Sequence, residues 1–560
     1  MPYRAPSGDI QFILDHVVPL APVSGTARFS EATPDLAEAI LTQAAKLCDT
    51  VLAPVQRNGD LTPARLVDGV VRTSPGYPEA FDAIREGGWV SVCAPAEHGG
   101  MGLPQCLNMA IHDMMSGACL SLQLSPLMTQ GQIEALDHHA ADELKALYLP
   151  KLISGEWAGT MNLTEAQAGS DVGALRTKAE PKGDGTYAIT GQKIFISWGD
   201  SDLTSNICHL VLARLPGAAA GTKGISLFMV PKFIPDADGN PGEANAVKVV
   251  SLEHKMGLHG SPTCVMAYKG ATGWMVGEEG RGMAAMFTMM NNARLGVAMQ
   301  GIGVAEAACQ AATEYAAERQ QFGAIIGHAD VRRMLAGMRA DVFAARAIAL
   351  SCAQAIDMGS ATEDADWVAR AAFLTPIAKA FGTETGMRVS ETAMQVHGGM
   401  GFIEETGVAQ FYRDVRVTAI YEGTNGIQAM DLVGRKLSDG GEAAYRILEE
   451  IEAGAEAARA ALPELAEEVW AAAETLREAT EWMVGQAPTD RQAGATAYLR
   501  AFARVLGAHF HLRAATADEG RQALAAFYIR RTLPQHAADL AEARDGADTV
   551  FALSPEALGL

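Results

Sequence analysis

The stretch Ala419–Gln428, AIYEGTNGIQ, sets a carboxylate, Glu422, between the Tyr421 ring and Gly423, with the short polar side chains of Thr424 and Asn425 just behind. A carboxylate among apolar neighbours is poorly hydrated, so its pKa rises and it is suited to take a proton during a reaction. Gly423 carries no Cβ, which lets a ligand come close to the backbone. Taken alone, Glu-Gly-Thr also describes an ordinary helix start capped by Thr424 or Asn425. Three other stretches offer chemistry of a matching kind. Met161–Asp171 alternates polar side chains with backbone opened at Gly169, presenting N–H and hydroxyl donors that suit the edge of a heteroaromatic ring. Its simpler reading is a helix-to-strand connection capped by Ser170 or Asp171. In Lys193–Trp198, an outward Phe195 or Trp198 could lie against a flat cofactor or fill a core. Gln395–Phe402 places Gly398, Gly399 and Gly401 in a loop after a helix, where bare backbone turns the chain or meets a pyrophosphate.

The chain contains no full GxGxxG, no GxxxxGK[ST], no HExxH and no GxSxG, so nicotinamide, P-loop, zincin and serine-hydrolase chemistries gain no support. The tandem His138-His139 reads as part of a surface helix, and no metal site is expected.

These loops need elements to hold them. At 560 residues the chain exceeds one hydrophobic core, and about three or four domains are expected. Residues 1–158 read as helical: an amphipathic run opens at Asp35-Leu36, and Leu107–Leu127, with Met109, Met114 and Met115, is apolar almost all round. Pliable thioethers there fill a core or wall an apolar ligand pocket. Residues 159–280 carry short β-rich runs (Tyr187–Thr190, Lys193–Ile196, His209–Leu212, Ile225–Val230, Val265–Tyr268) between glycine-rich turns. Residues 281–437 return to the helical period, with a very long helix through Arg294 to Arg319, then Val331–Met358, Trp367–Val396 and a last helix after Glu422. Small residues along them permit close packing. Residues 438–560 form a further helical module. Leu462, Leu465, Val469 and Leu476 line one stripe there, and a glutamate face (Glu464, Glu467, Glu468, Glu474, Glu478) reads as solvated.

The net charge of −22 repels phosphate backbones and anionic lipid, which disfavours nucleic-acid and membrane-surface roles. Eight scattered cysteines without CxxC spacing read as reduced, buried thiols. The opening Met1–Pro6 lacks the apolar core of a signal peptide, and no run approaches the ~18 apolar residues of a membrane span. A soluble cytoplasmic protein is expected.

Order joins the pieces. From near residue 35 to near 437 the chain resembles the acyl-CoA dehydrogenase family. It carries in sequence Leu163-Thr164-Glu165-x-x-Ala168-Gly169-Ser170-Asp171, then Phe195-Ile196-Ser197, then Arg294 in the long helix. Glu318-Arg319-Gln320-Gln321-Phe322-Gly323, Gln395-Val396-His397-Gly398-Gly399-Met400-Gly401 and Tyr421-Glu422-Gly423-Thr424-Asn425 follow. The added C-terminal module and the Tyr3-x-Ala5-Pro6…Phe12 opening resemble a longer subgroup of that family.

The resemblance implies an α+β fold with a helical N-terminal domain, a β-barrel-like middle domain, a C-terminal four-helix bundle and the extra module. It implies FAD, a CoA thioester and α,β-dehydrogenation, with Glu422 as catalytic base, the thioester carbonyl bound by the Glu422 amide, and an electron-transfer flavoprotein as acceptor. Met161, Leu163 and Thr164 match positions at the flavin's pyrimidine edge, and Phe195 and Ser197 match the strand against its ring. Arg319, Gln321, Phe322, Gln395, Gly398 and Gly399 match residues that reach the FAD of a partner subunit, while Thr424 and Asn425 match pyrophosphate contacts on their own. Ser170, Asn291, Arg294, Tyr421 and Gly423 match the substrate side. Alternatives on the same fold are an acyl-CoA oxidase and a catalytically silent acyl-CoA-binding relative. A homodimer is expected, with the module packed over its own core.

Overall fold

The computed structural model describes residues 3–560; Met1 and Pro2 of the opening segment read above lie outside the described residues. The helix Pro34–Leu47 begins where Thr33 accepts a hydrogen bond from the Leu36 N–H, and it buries Ala37, Leu41, Ala44 and Leu47 along one stripe. The long segment Gln105–His139 is buried on nearly every side, as its composition implies, but it is two helices. Cys119, at φ −159° and ψ 86°, leaves the helical region and bends the segment, a break that apolar composition does not register.

Two three-residue strands that alternation could not reveal, β1 (Arg65–Val67) and β2 (Val70–Arg72), form a hairpin turned by Asp68 and Gly69, both at positive φ. The middle domain comprises β3 (Trp157–Asn162), β4 (Lys178–Pro181), β5 (Tyr187–Ser197), β6 (Asn206–Ala213) and β7 (Ser226–Pro231), the small hairpin β8 (Phe233–Pro235) and β9 (Pro241–Ala244), then β10 (Val247–Leu252) and β11 (Thr263–Val276). Its main sheet runs β3-β6-β7-β11-β5-β4, with β10 also on β11; only β3 and β6 are parallel. A bridge from Lys178 to Arg214, just past β6, curls the far edge back toward barrel closure. Inside sit Ile189, Val211, Phe228, Val230 and Tyr268. The two runs Tyr187–Thr190 and Lys193–Ile196 are one strand, because Gly191 and Gln192 continue the ladder opposite Tyr268 and Ala267. Strands β4, β8, β9 and β10 escaped the sequence reading because they are short and hold between them one fully buried side chain, Ala179.

The bundle has three long helices, Gly282–Glu318, Ala329–Thr362 and Ala365–His397. Its fourth, Asn425–Asp431, is short and runs on as a π turn to Lys436. Small residues do set the packing. A Cβ at Gly301 would lie 2.4 Å from the Gly382 carbonyl oxygen, so the first and third helices meet backbone to backbone. A buried ion cluster ties this bundle to the N-terminal domain: Arg346 Nε lies 2.5 Å from Asp113 Oδ2 and its Nη2 lies 3.2 Å from Glu306 Oε2. All three side chains are almost fully buried. Removing the guanidinium would strand two buried carboxylates, a loss of about 3–5 kcal/mol.

The module, Glu442–Ala458, Pro463–Gly485, Pro488–Ala517 and three shorter α-helices, lies over the bundle. Leu465, Val469 and Leu476 are buried while Glu464, Glu467, Glu474 and Glu478 face solvent. Phe502 meets Phe373 edge-on at 5.0 Å, His511 hydrogen-bonds the Ala340 carbonyl at 3.0 Å, and Arg370 pairs with Glu450 at 2.6 Å. The N-terminal segment joins the same seam, with Arg521 2.6 Å from Asp9 and 4.4 Å above the Phe12 ring. Among the described residues, one helix, Ala329–Thr362, is long and apolar enough to cross a membrane, and 89% of its most apolar window is buried inside the protein. All eight cysteines are unpaired.

Candidate active site

The chain enters the site through the turn Arg416–Ala419 and leaves it as the helix Asn425–Asp431. Between them Glu422 and Gly423 both adopt positive φ, +56° and +84°. For glutamate this conformation costs about 1–2 kcal/mol, so other contacts must hold it. Lys379, fully buried in the helix Ala365–His397, does so: its Nζ donates to the Gly423 carbonyl at 2.9 Å and to Asn425 Oδ1 at 3.0 Å. A Cβ on residue 423 would lie 2.6 Å from Gln428 Nε2, which itself donates to the Gly423 carbonyl. Thr424 caps the outgoing helix by accepting from the Ile427 N–H, so the capping role and the site coexist. The Asn425 side chain is engaged by Lys379 and Thr383.

Glu422 is largely enclosed, and its Oε2 has no hydrogen-bond partner. Burial pushes its pKa up to about 7, against the pull of the Arg294 and Lys379 charges. Burial likewise lowers the pKa of Lys379, while Glu422 opposes that shift. Arg294, nearly buried, lies 3.4 Å from Asn291 Oδ1 and 3.9 Å from Asp431 Oδ2, and its Nε is unpartnered. A carboxylate near neutrality, beside two cations but bonded to neither, can accept a proton without first breaking a hydrogen bond.

Behind Tyr421 runs a directed hydrogen-bond chain. The Tyr421 hydroxyl donates to Gln300, and Gln300 Nε2 donates to Gln123 Oε1 at 3.0 Å. Gln123 donates to His112 Nδ1, and His112 Nε2 reaches Gln130 Oε1 at 2.6 Å. Burial drops the His112 pKa to about 4, so the ring stays neutral with its proton on Nε2, as the chain requires. Gln300, Gln123 and His112 are fully buried.

The middle domain offers the flat partner. Phe195, at φ +59°, is 59% exposed, whereas Trp198 is buried and donates to the Ser121 carbonyl at 3.2 Å. Of the two rings, Phe195 is the one available to a cofactor. Met161 and Thr164 are partly exposed beside it, Leu163 is buried, and the Ser197 carbonyl accepts from Thr160. The loop after Thr164 is rigid, because Glu165 accepts from Lys193 Nζ at 2.8 Å and from the Arg176 and Thr177 N–H groups. An exposed ring, free hydroxyl and backbone donors, and an enclosed carboxylate fit a flavin with a bound thioester. Ser170 and Asn291 are exposed. Arg319, Gln321, Phe322, Gln395, Gly398 and Gly399 are also exposed and share one end of the bundle, brought together by the stack of Tyr315 on His397 at 4.3 Å.

Family models match in the same order as the architecture: the acyl-CoA dehydrogenase N-terminal domain over residues 35–156, its middle domain over 160–271 and its C-terminal domain over 280–437. An acetyl-CoA dehydrogenase C-terminal-like model covers 447–554. The chain is 47% identical over 467 residues to 3-methylmercaptopropionyl-CoA dehydrogenase of Ruegeria pomeroyi, covering 81% of this chain and 79% of that one. The chain belongs to the acyl-CoA dehydrogenase family. It is also 36% identical over 480 residues to the broad-specificity linear acyl-CoA dehydrogenase FadE5 of Mycobacterium tuberculosis, covering 80% of this chain and 78% of that one. An acyl-CoA dehydrogenase complexed with FAD from Bacillus anthracis shares the fold, at TM-score 0.76 and 21% identity, over 92% of this chain and 88% of that one. The protein is thus an oxidoreductase acting on acyl-CoA, and FAD is its cofactor.

Sequence reasoning did not find Lys379, Gln300, Gln123 or His112. Their signal was a polar or ionisable side chain set within an apolar helical run, as in Pro376-Ile377-Ala378-Lys379-Ala380-Phe381.

Lys379→Met removes a charge that lowers the Glu422 pKa. The acid limb of the pH profile of kcat/KM then moves to higher pH, and turnover at pH 7 falls by about tenfold. An unshifted profile would show that Lys379 does not tune the carboxylate.

Proposed function

We propose that the enzyme α,β-dehydrogenates a short acyl-CoA, the 3-methylmercaptopropionyl thioester being the first candidate, with Glu422 removing the proton from Cα. The observation that supports this most is the enclosed Glu422 carboxylate, with its Oε2 unpartnered and its pKa near neutrality. Bound FAD supplies the acceptor for the hydride leaving Cβ. Gly423 leaves room for the thioester, and Arg294 and Lys379 favour the Glu422 anion before proton transfer. Phe195, Met161, Leu163, Thr164 and Ser197 form the proposed flavin wall. Ser170, Asn291 and Arg294 are the proposed CoA side.

Chain length follows from what lies behind Tyr421. In the hydrogen-bonded column Tyr421–Gln300–Gln123–His112 the last three side chains are fully buried, with Met109, Met114 and Met115 packed on the same segment as His112. A long acyl tail would have to break this column, whereas a short or thioether-bearing chain stops at Tyr421 beside pliable side chains. The onward electron acceptor is proposed to be an electron-transfer flavoprotein, with oxygen as the oxidase alternative. Eight unpaired cysteines agree with a cytoplasmic setting.

A homodimer is proposed from the far end of the bundle. There Phe322, fully exposed at φ +53°, sits with Phe402 at 93% exposure around Arg319, Gln395, Gly398 and Gly399. Solvent rewards neither an exposed aromatic ring nor a left-handed phenylalanine; a partner subunit covering the patch rewards both.

Anaerobic bleaching of the flavin by a panel of acyl-CoAs tests the substrate. Butyryl and methylthiopropionyl thioesters are expected to bleach it with kcat/KM at least about tenfold above dodecanoyl or phenylacyl ones; preference for the long or aromatic chains contradicts the reading.

Light scattering of the full chain at micromolar concentration should give a dimer, and Phe322→Arg should shift it to monomer. A wild-type monomer or tetramer rejects the proposed assembly.

A further inference from the structure

The turn that leads to Glu422 continues directly from a short helix, Val408–Val415, and the three family domains meet at that helix. Its Asp414 is 1% exposed, and the chemistry above does not use it. Asp414 Oδ1 accepts from the Leu258 N–H at 2.6 Å, and Oδ2 accepts from Gln410 Nε2 at 3.2 Å. Neither bond is an ion pair, so the carboxylate is buried at some expense to hold a backbone amide and a carboxamide. Leu258 belongs to the middle domain, in the loop between β10 and β11. Its φ of +53° is strained for a leucine. The loop also touches the helix backbone directly: a Cβ at Gly257 would lie 2.3 Å from the Arg413 carbonyl oxygen. At its far end the loop meets β5, the strand that carries Phe195. There the Pro262 carbonyl accepts from the Trp198 N–H at 2.8 Å, and Thr263 pairs with Ser197. One hydrogen bond therefore joins the helix that leads to the base to the loop that backs the proposed flavin wall.

The N-terminal domain braces this joint. Asp60 accepts from Nη1 and Nη2 of Arg413, each at 2.7 Å, and lies 2.9 Å from His259 Nδ1. Arg413 and His259 are the chain neighbours of Asp414 and Leu258, so the brace grips both sides of the bond. Gly260 and Gly59 pack so closely that a Cβ at Gly260 would lie 2.8 Å from the Gly59 Cα. Dehydrogenation makes a demand on such a joint. The base must reach Cα while Cβ lies against the flavin, and a misplacement of about 1 Å can cost about 10²-fold in rate. Glu422 belongs to the bundle, whereas Phe195 and Ser197 belong to the middle domain. What fixes one domain against the other also fixes that spacing.

We propose that Asp414 is a positioning residue for the reaction: its bond to Leu258, braced by Asp60, sets the spacing between Glu422 and the flavin wall. This rests on the reading of Glu422 as base and of the Phe195 strand as that wall. With the thioester carbonyl bound by the Glu422 amide, Cα moves with the base. Loosening the joint then slows loss of the hydride from Cβ more than transfer of the Cα proton to Glu422.

The flavinated full chain is compared with Asp414→Ala, Asp414→Asn and Asp60→Asn. Anaerobic bleaching by butyryl-CoA in D2O is followed together with deuterium uptake at Cα of the recovered substrate. In Asp414→Ala bleaching should slow at least about tenfold with acyl-CoA affinity within about threefold, and the ratio of Cα exchange to bleaching should rise at least about tenfold. Asp414→Asn keeps an oxygen for the Leu258 N–H and should stay within about threefold of the wild type in both. A readout independent of turnover is hydrogen exchange of the backbone amides in residues 253–262. It should quicken at least about tenfold in Asp414→Ala and not in Asp414→Asn. Unchanged bleaching or unchanged amide exchange in Asp414→Ala overturns the proposal. Bleaching and Cα exchange slowed equally also overturns it, because Asp414 would then serve the fold alone. If Asp414→Ala does not fold, Asp60→Asn decides: it leaves the Leu258 bond and loosens the brace, so a ratio raised less than about threefold rejects the proposal. A wild type that butyryl-CoA does not bleach would fault the substrate reading instead, and the amide exchange would then decide the joint.

Discussion

The site depends on keeping one carboxylate enclosed and unbonded. Left to itself, a glutamate on a surface loop would be solvated, ionised and a weak base; enclosed without relief, it would stay protonated and be no base at all. Glu422 is held between these limits by burial, by the opposing charges of Arg294 and Lys379, and by an Oε2 without a hydrogen-bond partner. The left-handed turn at Glu422 and Gly423 aims the side chain inward, and Lys379 secures the turn by binding its carbonyl rather than the carboxylate. The same lysine therefore holds the turn that carries Glu422 and, through its charge, opposes the rise of the Glu422 pKa.

Much of the remaining structure supports that turn. Lys379 reaches Gly423 from a helix that also touches the Gly282–Glu318 helix at Gly301 and Gly382 with no side chain between. The Arg346 cluster binds the helices Gly282–Glu318 and Ala329–Thr362 to the N-terminal domain, whose buried Gln123 and His112 in turn anchor Tyr421 through Gln300. The module covers the outer face of the bundle, and its Arg500 grips Glu384 one turn beyond Lys379.

How much of this the sequence disclosed follows from the range of each signal. Glu422, Gly423 and the motif order were legible because they are local strings. The helices of the bundle were legible because apolar period and length agree over thirty or so residues. Lys379 was not, because its partner lies 44 residues away and nothing local marks a lysine that bonds a carbonyl. Phe195 and Trp198 look interchangeable in a string; positive φ at both residues removes simple alternation, and only the fold sends one ring out and the other in. Strands such as β4 and β10 are short and turn only a few side chains, Ala179 or Val247 and Val249, toward the core. The break at Cys119 sits in a stretch whose composition is uniform on both sides.

The central claim is that Glu422 is the base. Its most direct test is the rate of anaerobic flavin bleaching by a good acyl-CoA in Glu422→Gln, measured with FAD occupancy and acyl-CoA affinity in the same samples. The substitution removes proton abstraction and little volume, so occupancy should hold, affinity should stay within about tenfold, and the bleaching rate should fall by about three orders of magnitude or more. A variant that keeps more than about a tenth of the wild-type rate would contradict the account, because some other group would then be taking the proton.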